Sequence, residues 1–301
     1  MLLKKIITIL GPTASGKSGL AIKLAKKFKG EIVSADSRQI YNGFIVGSGL
    51  VQGKLQDNVF VSENIAHHLL QFLEPEENFS VSEFKKLALN EIATIHSKNK
   101  LPFLVGGTGL YIDSIVKNLS LDGPKPNKAL RNKLEGKSLE ELSNQLKIFD
   151  PIAHKTIDKK NKRRLIRVIE VCLSGATFSS ANKQGPKLFD ILKIGIKITR
   201  PELYKRIDER VDRMIDNGLV REVEDLLKLC SKNSPAFSGI GYKQVIEYLD
   251  GEYSEKEMIT KIKNATHAYA RRQITWFKRD NEIRWTNDYK EAEALVKKFL
   301  S

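Results

Sequence analysis

Apolar positions along the chain fall alternately into strand-like runs and helical spacings. Residues 4–10, 31–35 and 101–105 are short apolar runs that end at polar or glycine-rich turns. Between them, notably over 19–28 and 81–98, apolar side chains recur at the spacing of one helical face. Strands that alternate with helices predict a parallel sheet whose faces are covered by helices.

The pattern changes in the middle of the chain. Proline- and glycine-containing stretches at 121–126 and 183–187 enclose a segment with helical spacing only. A strand pattern returns at 190–199, where apolar residues alternate with polar or small ones, and helical patterns follow from 201 to 279. A last short strand is expected at 282–285. We therefore predict a core domain made of residues 1–120 and 187–301, interrupted by a helical insertion domain at 121–186.

A phosphate-binding loop follows the first strand. The sequence fits the pattern G-x-x-x-x-G-K-S/T with Gly11, Pro12, Thr13, Ala14, Ser15, Gly16, Lys17 and Ser18. Strand, glycine-rich turn and helix would aim backbone N–H groups at an anion, Lys17 would add a positive charge, and Ser18 could hold Mg²⁺. The fold class is therefore α/β, with a P-loop NTPase-like sheet. A glycine-rich turn without a ligand is the alternative.

Two further segments should converge on this loop. Asp36 and Thr108 each follow a predicted strand, and ligands of open α/β sheets bind beyond the carboxyl ends of the strands. Asp36 could be a Mg²⁺ ligand or a general base for a substrate held next to the phosphate. It could also merely cap a helix or close an Asx turn.

Composition indicates a polyanionic partner. The 301 residues carry 51 Lys and Arg against 36 Asp and Glu, a net charge of +15, which suits nucleic acid but also a merely cationic surface. The two cysteines, Cys172 and Cys230, give no disulfide framework, so we expect a cytoplasmic protein. The apolar run at the start is too short for a signal peptide, and no stretch approaches the roughly 20 apolar residues of a membrane span.

Three basic segments are candidates for anion contacts. One helical face carries Arg206, Arg210 and Arg213, whose guanidinium groups suit diphosphate. Because acidic residues are interleaved with them, a solvated, salt-bridged surface explains the pattern equally well. The segment 159–167 has six basic residues in nine and no acid, so it could contact a phosphate backbone or simply be solvated. In 271–279 we expect the two aromatics to be core, with the basic residues outside.

Other catalytic arrangements are not indicated by the sequence. The pair His67 and His68 lacks neighbouring Glu or Cys residues at metal-ligand spacing, so we interpret both as structural. No Ser-His-Asp or Cys-His nucleophile can be argued from the pattern.

Taken together, these motifs resemble the tRNA dimethylallyltransferase family, also called tRNA isopentenyltransferases, in its bacterial form. The resemblance covers most of the chain. It rests on an ordered set of segments: 11–18, Asp-Ser-Arg-Gln-Ile-Tyr at 36–41, Gly-Gly-Thr-Gly-Leu-Tyr at 106–111, Arg-Arg-Leu-Ile-Arg at 163–167, Gly-Ile-Gly-Tyr-Lys at 239–243, and Arg-Gln-Ile-Thr-Trp-Phe at 272–277.

The resemblance implies a reaction. The family transfers a dimethylallyl group from dimethylallyl diphosphate to N6 of the adenosine on the 3′ side of the anticodon, in tRNAs that read codons beginning with U. The phosphate loop would then hold a prenyl diphosphate with Mg²⁺ at Ser18, rather than ATP. Asp36 matches the residue that receives the N6 proton, Thr13 the threonine near the bridging oxygen, and Arg210 a diphosphate-binding arginine.

The resemblance also implies how tRNA is bound. The target base must leave the anticodon stack, and the helical insertion would close on the anticodon stem. We expect a monomer with no membrane association. The implied tRNA contacts are Asp36, Ser37, Arg38, Gln39, Thr108, Arg131, Arg163, Arg164, Leu165, Ile166 and Arg167.

One segment departs from the family pattern. Where relatives continue with Gly-Thr-Ala-Lys-Pro, this chain has Gly-Ser-Gly-Leu-Val-Gln-Gly at 47–53, which puts contacts of that loop in doubt. There is also no C-terminal zinc-finger pattern. Three alternatives stay open: an adenylate isopentenyltransferase, a P-loop kinase, and a nucleic-acid-binding ATPase without transferase chemistry.

Overall fold

A computed structural model describes residues 3–57, 59–121, 123–124, 126–175, 178 and 184–301. The chain divides into two compact units, one made of Met1–Ile115 and Leu188–Ser301 and the other of Val116–Lys187. These limits lie a few residues from the domain boundaries expected from the sequence. No helix in the described part of the chain is long and apolar enough to cross a membrane.

The first unit is built on an eight-stranded sheet with the order β3-β4-β5-β2-β6-β1-β7-β8. The strands are β1 Lys5–Leu10, β2 Gly30–Ala35, β3 Lys54–Gln56, β4 Val59–Ser62, β5 Ile65–His68, β6 Leu101–Gly106, β7 Asp190–Ile196 and β8 Arg284–Thr286. β1 lies between β6 and β7, and all the pairs from β5 to β8 are parallel. The α/β fold with a central sheet flanked by helices is confirmed.

The short strands β3, β4 and β5 were not predicted. They pair antiparallel and extend the sheet beyond β2. Their sequence, residues 54–68, is too short and too mixed in polarity to produce a clear period of two, and β3 is exposed throughout. Only pairing with the edge of the parallel sheet reveals them, since strand formation depends strongly on neighbouring strands.

Most helices form where the spacing of apolar residues predicts them, and residues 109–116 and 289–300, for which no helix was predicted, are also helical. In chain order they are α1 Lys17–Lys27, α2 Val81–Ser97, α3 Gly109–Val116, α4 Lys128–Glu135, α5 Leu139–Phe149, α6 Pro151–Thr156, α7 Lys162–Leu173, α8 Arg200–Asp216, α9 Leu219–Leu229, α10 Tyr242–Leu249, α11 Glu255–Phe277 and α12 Tyr289–Leu300. Several begin at side-chain caps. Ser80, for example, forms a reciprocal capping box with Glu83 at the start of α2.

Two hydrophobic clusters of the described residues position the site within the first unit. Apolar side chains of α1 and α12 pack with the sheet strands around Ile7, Phe103 and Ile194. A second core joins α8, α9, α10 and α11 to the segment after β2, with Phe44 and Tyr242 in aromatic contact at its centre. The second core fixes the segment at 40–49 relative to the helices that follow β7.

The second unit consists of helices in its described residues. α4, α5, α6 and α7 enclose a small core that includes Leu142, Leu146 and Leu165. Asn127, Ser138, Asp150 and Asn161 each cap the helix that follows them. Residues 176–177 and 179–183, at the end of the expected insertion, lie outside the described residues.

Candidate active site

The phosphate loop connects β1 to α1 with its backbone held open. Ala14 and Gly16 have positive φ angles of 61° and 91°, a conformation that favours glycine and turns successive N–H groups to one side. Among the described residues no side chain caps the start of α1, and its first turn has no acidic residue. The N-terminal amides of α1 and their partial positive charge are therefore available to an anion.

Lys17 lies at the start of α1 and folds back over the loop. Its Nζ donates to the carbonyl oxygen of Pro12 at 3.2 Å. Burial lowers the pKa of Lys17 from 10.5 to about 8, Asp36 opposes this shift, and Arg210 adds to it. A buried cation with a weakened hold on its proton is stabilised when a phosphate group binds beside it.

Asp36 and Thr108 are brought together as the strand order predicts. The Oγ1 of Thr108 accepts from the backbone N–H of Ser37 at 3.2 Å, which ties the end of β2 to the end of β6. Asp36 Oδ1 accepts from the backbone N–H of Arg38 at 2.9 Å, so the Asx turn weighed as an alternative is present. Asp36 also lines the cleft with Lys17 and Arg210. The turn therefore orients the carboxylate without removing it from the site.

Gln273 of α11 is a site residue that sequence analysis missed. Its Oε1 accepts from the N–H of Thr13 at 2.9 Å, and its Nε2 donates to the carbonyl of Gly107 at 2.9 Å. A Cβ at residue 107 would lie 2.3 Å from that Nε2, so a side chain there would displace the Gln273 amide. Gln273 thus joins the phosphate loop to the loop after β6. In the sequence, the signal for this role would have been a glutamine that stands among basic residues.

Of Arg206, Arg210 and Arg213, the three arginines of α8 expected to share a face, Arg210 lines the cleft. Arg210 lies with Nη1 3.4 Å from Thr13 Oγ1 and Nη2 3.4 Å from the carbonyl oxygen of Ser48. Arg206 pairs with Glu202 at 2.7 Å, and Arg213 is exposed. The salt-bridged surface weighed as the alternative therefore describes Arg206, while Arg210 is placed to bind an anion. Burial lowers the pKa of Arg210 from its ordinary value.

The cleft is lined by both polar and apolar side chains. The polar ones include Thr13, Lys17, Ser18, Asp36, Gln39, Ser48 and Arg210, and the apolar ones include Ala21, Ile32, Leu70 and Val105. A charged group and a small apolar group can therefore be bound side by side.

The two histidines differ in their surroundings. His68 is buried between Glu31 and Glu91, with ring nitrogens 2.8 Å from each carboxylate. This agrees with a structural role. His67 lines the cleft, and its Nδ1 lies 2.9 Å from the carbonyl oxygen of Ile65. Burial lowers the pKa of His67, so the ring is a neutral part of the wall near pH 7.

A magnesium ion fits this cleft only together with phosphate oxygens. Ser18 and Asp36 supply oxygen donors to one cavity. The described residues contain no group of three or more His, Cys, Asp or Glu side chains that could hold a metal. Mg²⁺ commonly takes one or two protein oxygens and completes its shell with substrate phosphates and water, and the donor set here matches that mode.

In the helical unit, the basic residues fall into two groups. Arg131 and Arg167 pair with the buried Glu170 at 2.7 and 2.5 Å. Burial tends to raise the pKa of Glu170, but these arginines and the N–H of Asn127 outweigh it and lower the pKa to about 2. Arg163 and Arg164 are exposed. They alone of these four have no ion pair within the described residues.

Two other residues of the implied tRNA-binding segment face inward. Leu165 and Ile166 are buried in the core of the helical unit. Their side chains hold α7 in place, and the exposed arginines next to them form its polar surface. In α11, Phe277 is buried as expected, whereas Trp276 is half-buried and its Nε1 donates to Asp113 at 3.1 Å.

Known proteins of similar sequence and fold identify the family. The sequence model described as IPP transferase matches residues 39–280, and the one described as Isopentenyl transferase matches residues 4–59. A tRNA dimethylallyltransferase of Finegoldia magna is 42% identical over 302 residues, which cover 97% of this chain and 94% of the relative.

Solved structures agree with the sequence comparison. A tRNA isopentenylpyrophosphate transferase from Bacillus halodurans superposes with a TM-score of 0.72 and 32% identity, covering 99% of this chain and 95% of that one. A eukaryotic dimethylallyltransferase, described as acting on tRNA, gives a TM-score of 0.80 at 26% identity, covering 99% and 79%. The resemblance drawn from the motifs is confirmed: the chain belongs to the IPP transferase family and is a prenyltransferase.

Proposed function

We propose that this chain transfers the dimethylallyl group of dimethylallyl diphosphate to N6 of the adenosine on the 3′ side of the anticodon of tRNA. The observation that supports this most is the convergence of Lys17, Asp36 and Arg210, from three distant segments, on one cleft that apolar side chains also line. Such a cleft offers cations to a diphosphate, apolar contacts to a short branched hydrocarbon and a carboxylate to an entering amine.

The diphosphate end of the cleft would weaken the allylic carbon–oxygen bond. Backbone N–H groups of the loop, Lys17 and Arg210 would stabilise the negative charge that develops on the departing diphosphate. Thr13, whose Oγ1 lies 3.4 Å from Nη1 of Arg210, would approach the bridging oxygen. Mg²⁺, when bound at Ser18, would share the charge of the diphosphate.

Asp36 would act on the nucleophile. As the allylic carbon bonds to N6, the nitrogen loses a proton, and a carboxylate in hydrogen-bond reach is suited to receive it. The N–H of Arg38 fixes one carboxylate oxygen of Asp36. The link between Ser37 and Thr108 fixes the segment that carries it. Both restrict the carboxylate to one orientation, as efficient proton transfer requires.

Charge supports tRNA as the acceptor. The net charge of +15 and the exposed Arg163 and Arg164 on α7 provide contacts for a phosphate backbone. A relative of the same fold is described as acting on tRNA. We further propose that the acceptor tRNAs read codons beginning with U, that the helical unit closes on the anticodon stem, and that the enzyme is a cytoplasmic monomer.

Prenyl transfer with labelled dimethylallyl diphosphate tests the proposal. Purified protein is incubated with Mg²⁺ and unmodified tRNA, AMP or ATP. We expect label in tRNA alone. Label in AMP would instead assign the chain to adenylate prenylation. No label, with ATP consumed, would make it a P-loop kinase or ATPase and overturn the proposal.

A further inference from the structure

Glu222, in the first turn of α9, binds three successive backbone N–H groups of a distant loop. Its Oε2 accepts from Ile45 at 3.1 Å and from Val46 at 2.6 Å, and its Oε1 accepts from Gly47 at 3.0 Å. Three consecutive amides on one carboxylate form an anion-binding nest. The carboxylate is an unusually strong acceptor for them, because it is charged.

Tyr242 of α10 completes the arrangement. Its hydroxyl donates to Glu222 Oε1 at 2.8 Å and accepts from the N–H of Ser48 at 3.0 Å. Burial raises the pKa of Tyr242, and Glu222 raises it further, so the hydroxyl keeps its proton. A Cβ at residue 47 would lie 2.5 Å from the Tyr242 ring, which shows how closely the loop is seated. Four successive residues, 45–48, are thus held by one carboxylate and one hydroxyl.

The far end of the same loop contacts Arg210. The carbonyl oxygens of Ser48 and Gly49 accept from Nη2 at 3.4 and 3.5 Å. Gln39 Nε2 donates to the same two carbonyls at 3.3 and 3.1 Å. Gly49 has a φ of +61°, and a Cβ there would lie only 1.6 Å from Nη2. The loop therefore determines where the guanidinium of Arg210 can lie.

We propose that Glu222 is a positioning residue: by holding loop 45–49 through its amides, it places the two carbonyls that orient Arg210 towards the diphosphate. The inference deepens the proposed function and rests on it for the identity of the prenyl diphosphate. Glu222 does not line the cleft. It acts through the loop.

Glu222→Gln removes the charge and replaces one acceptor oxygen with an N–H₂ group. That group would face either the loop amides or the tyrosine hydroxyl, and at least one backbone N–H would lose its acceptor. The loop should loosen, and Arg210 should lose its fixed orientation. We expect affinity for inorganic diphosphate, measured by calorimetry with Mg²⁺, to fall about 10- to 100-fold, as for other residues that orient a ligand-binding group.

A double-mutant cycle with Arg210→Ala separates positioning from general destabilisation. If Glu222 acts through Arg210, Glu222→Gln should change diphosphate affinity less than about twofold once Arg210 is absent. An equal loss of affinity in both backgrounds would overturn the inference. So would wild-type affinity in Glu222→Gln itself.

Matched variants keep the test decisive. Glu224→Gln, an exposed carboxylate on the same helix, should bind diphosphate like the wild type. Tyr242→Phe keeps the buried ring and removes only the hydroxyl, and we expect a smaller loss that also depends on Arg210. If Glu222→Gln does not give a cooperative thermal transition, the cycle with Tyr242→Phe decides, and independence from Arg210 there would overturn the inference.

Diphosphate binding and prenyl transfer are read separately in this design. Wild-type protein is assayed for transfer to tRNA in parallel with the binding cycle. If coupling to Arg210 is found but no tRNA is labelled, the positioning role of Glu222 is supported and the proposed function fails. If tRNA is labelled and the coupling is absent, the positioning role of Glu222 is overturned alone.

Discussion

Asp36 combines a local hydrogen bond with an exposed reactive group. One oxygen accepts from the N–H of Arg38 at 2.9 Å, as in any Asx turn. The side chain nevertheless reaches the cleft that Lys17 and Arg210 line. The geometric role and the chemical role can therefore be separated by substitution.

Asp36→Asn should abolish catalysis while keeping the turn. Its amide oxygen can still accept from Arg38, but an amide cannot receive the N6 proton at neutral pH. We expect the rate of prenyl transfer at saturating tRNA to fall about 10²- to 10⁴-fold, with tRNA affinity retained in filter binding.

Asp36→Ala serves as the comparison, since it removes both the base and the turn. It should abolish transfer equally and also disturb the loop. A variant that transfers normally at saturating tRNA, yet binds tRNA poorly, would contradict the assignment of Asp36 as the base.

Lys17 gives the site a pH dependence. With a pKa of about 8 in the protein alone, its ammonium loses its proton as pH rises through that value. Only the charged form attracts diphosphate, so affinity for inorganic diphosphate should fall up to about tenfold from pH 7 to pH 9. Calorimetry across this range measures the effect.

Lys17→Arg is the matched control for this dependence. A guanidinium stays charged throughout the range, and titration of the ligand affects both proteins equally. The ratio of the two affinities should therefore change with pH. A constant ratio would mean that Lys17 remains protonated, and the proposed pH effect would be wrong.

At the scale of elements, a buried carboxylate joins two helices and the segment before them. Glu170 of α7 accepts from Arg131 of α4 and from the N–H of Asn127 at 2.6 Å. Because its pKa is lowered to about 2, the ionised form is favoured in the folded protein. Its stabilisation is complete above the ordinary value near 4.5 and is lost as pH falls towards 2.

Glu170→Gln should destabilise the helical unit at neutral pH. Arg131, Arg167 and Asn127 lose a charged acceptor, and we expect the free energy of unfolding to fall by about 1–3 kcal/mol. Hydrogen exchange of α7 amides at pH 7 measures this locally. Glu140→Gln, an exposed carboxylate on α5, is the control, and equal exchange rates in both variants would contradict the role of Glu170.

At the scale of the whole molecule, the net positive charge favours association with tRNA. A surplus of +15 raises affinity for any polyanion, and only the salt dependence shows how many charges contact phosphates. Within α7, Arg167 forms an ion pair with Glu170, whereas Arg163 and Arg164 are exposed. The exposed pair is therefore the better candidate for direct contact.

Replacing Arg163 and Arg164 with glutamine should weaken tRNA binding and flatten its salt dependence. Each lost phosphate contact lowers the slope of log affinity against log salt by about 0.7–0.9, so the slope should fall by about 1.5. Filter binding over a salt series measures it. Lys290→Gln with Lys298→Gln, two exposed residues of α12, changes net charge equally. The same loss of slope in both pairs would exclude a local contact by α7.

Much of the α/β fold could be predicted because its signals are local. The phosphate loop, the strands that precede polar turns and the helical spacing of 81–98 each depend on neighbouring residues alone. The antiparallel strands β3 to β5 could not be predicted, since residues 54–68 become strands only by pairing with one another and with β2. Edge pairing is a tertiary event, and it leaves little trace in polarity.

By itself, the sequence determined the family, the alternation of the parallel strands with helices, the phosphate loop and Asp36 as a candidate site residue. These follow from short motifs and from periodicity, both of which are properties of contiguous residues. Only the tertiary structure decided that Arg210, rather than Arg206 or Arg213, lines the cleft, that Gln273 joins two loops, and that Glu222 holds the segment at 45–49. Those contacts join residues more than 150 positions apart, and packing of whole helices against the sheet sets their distances.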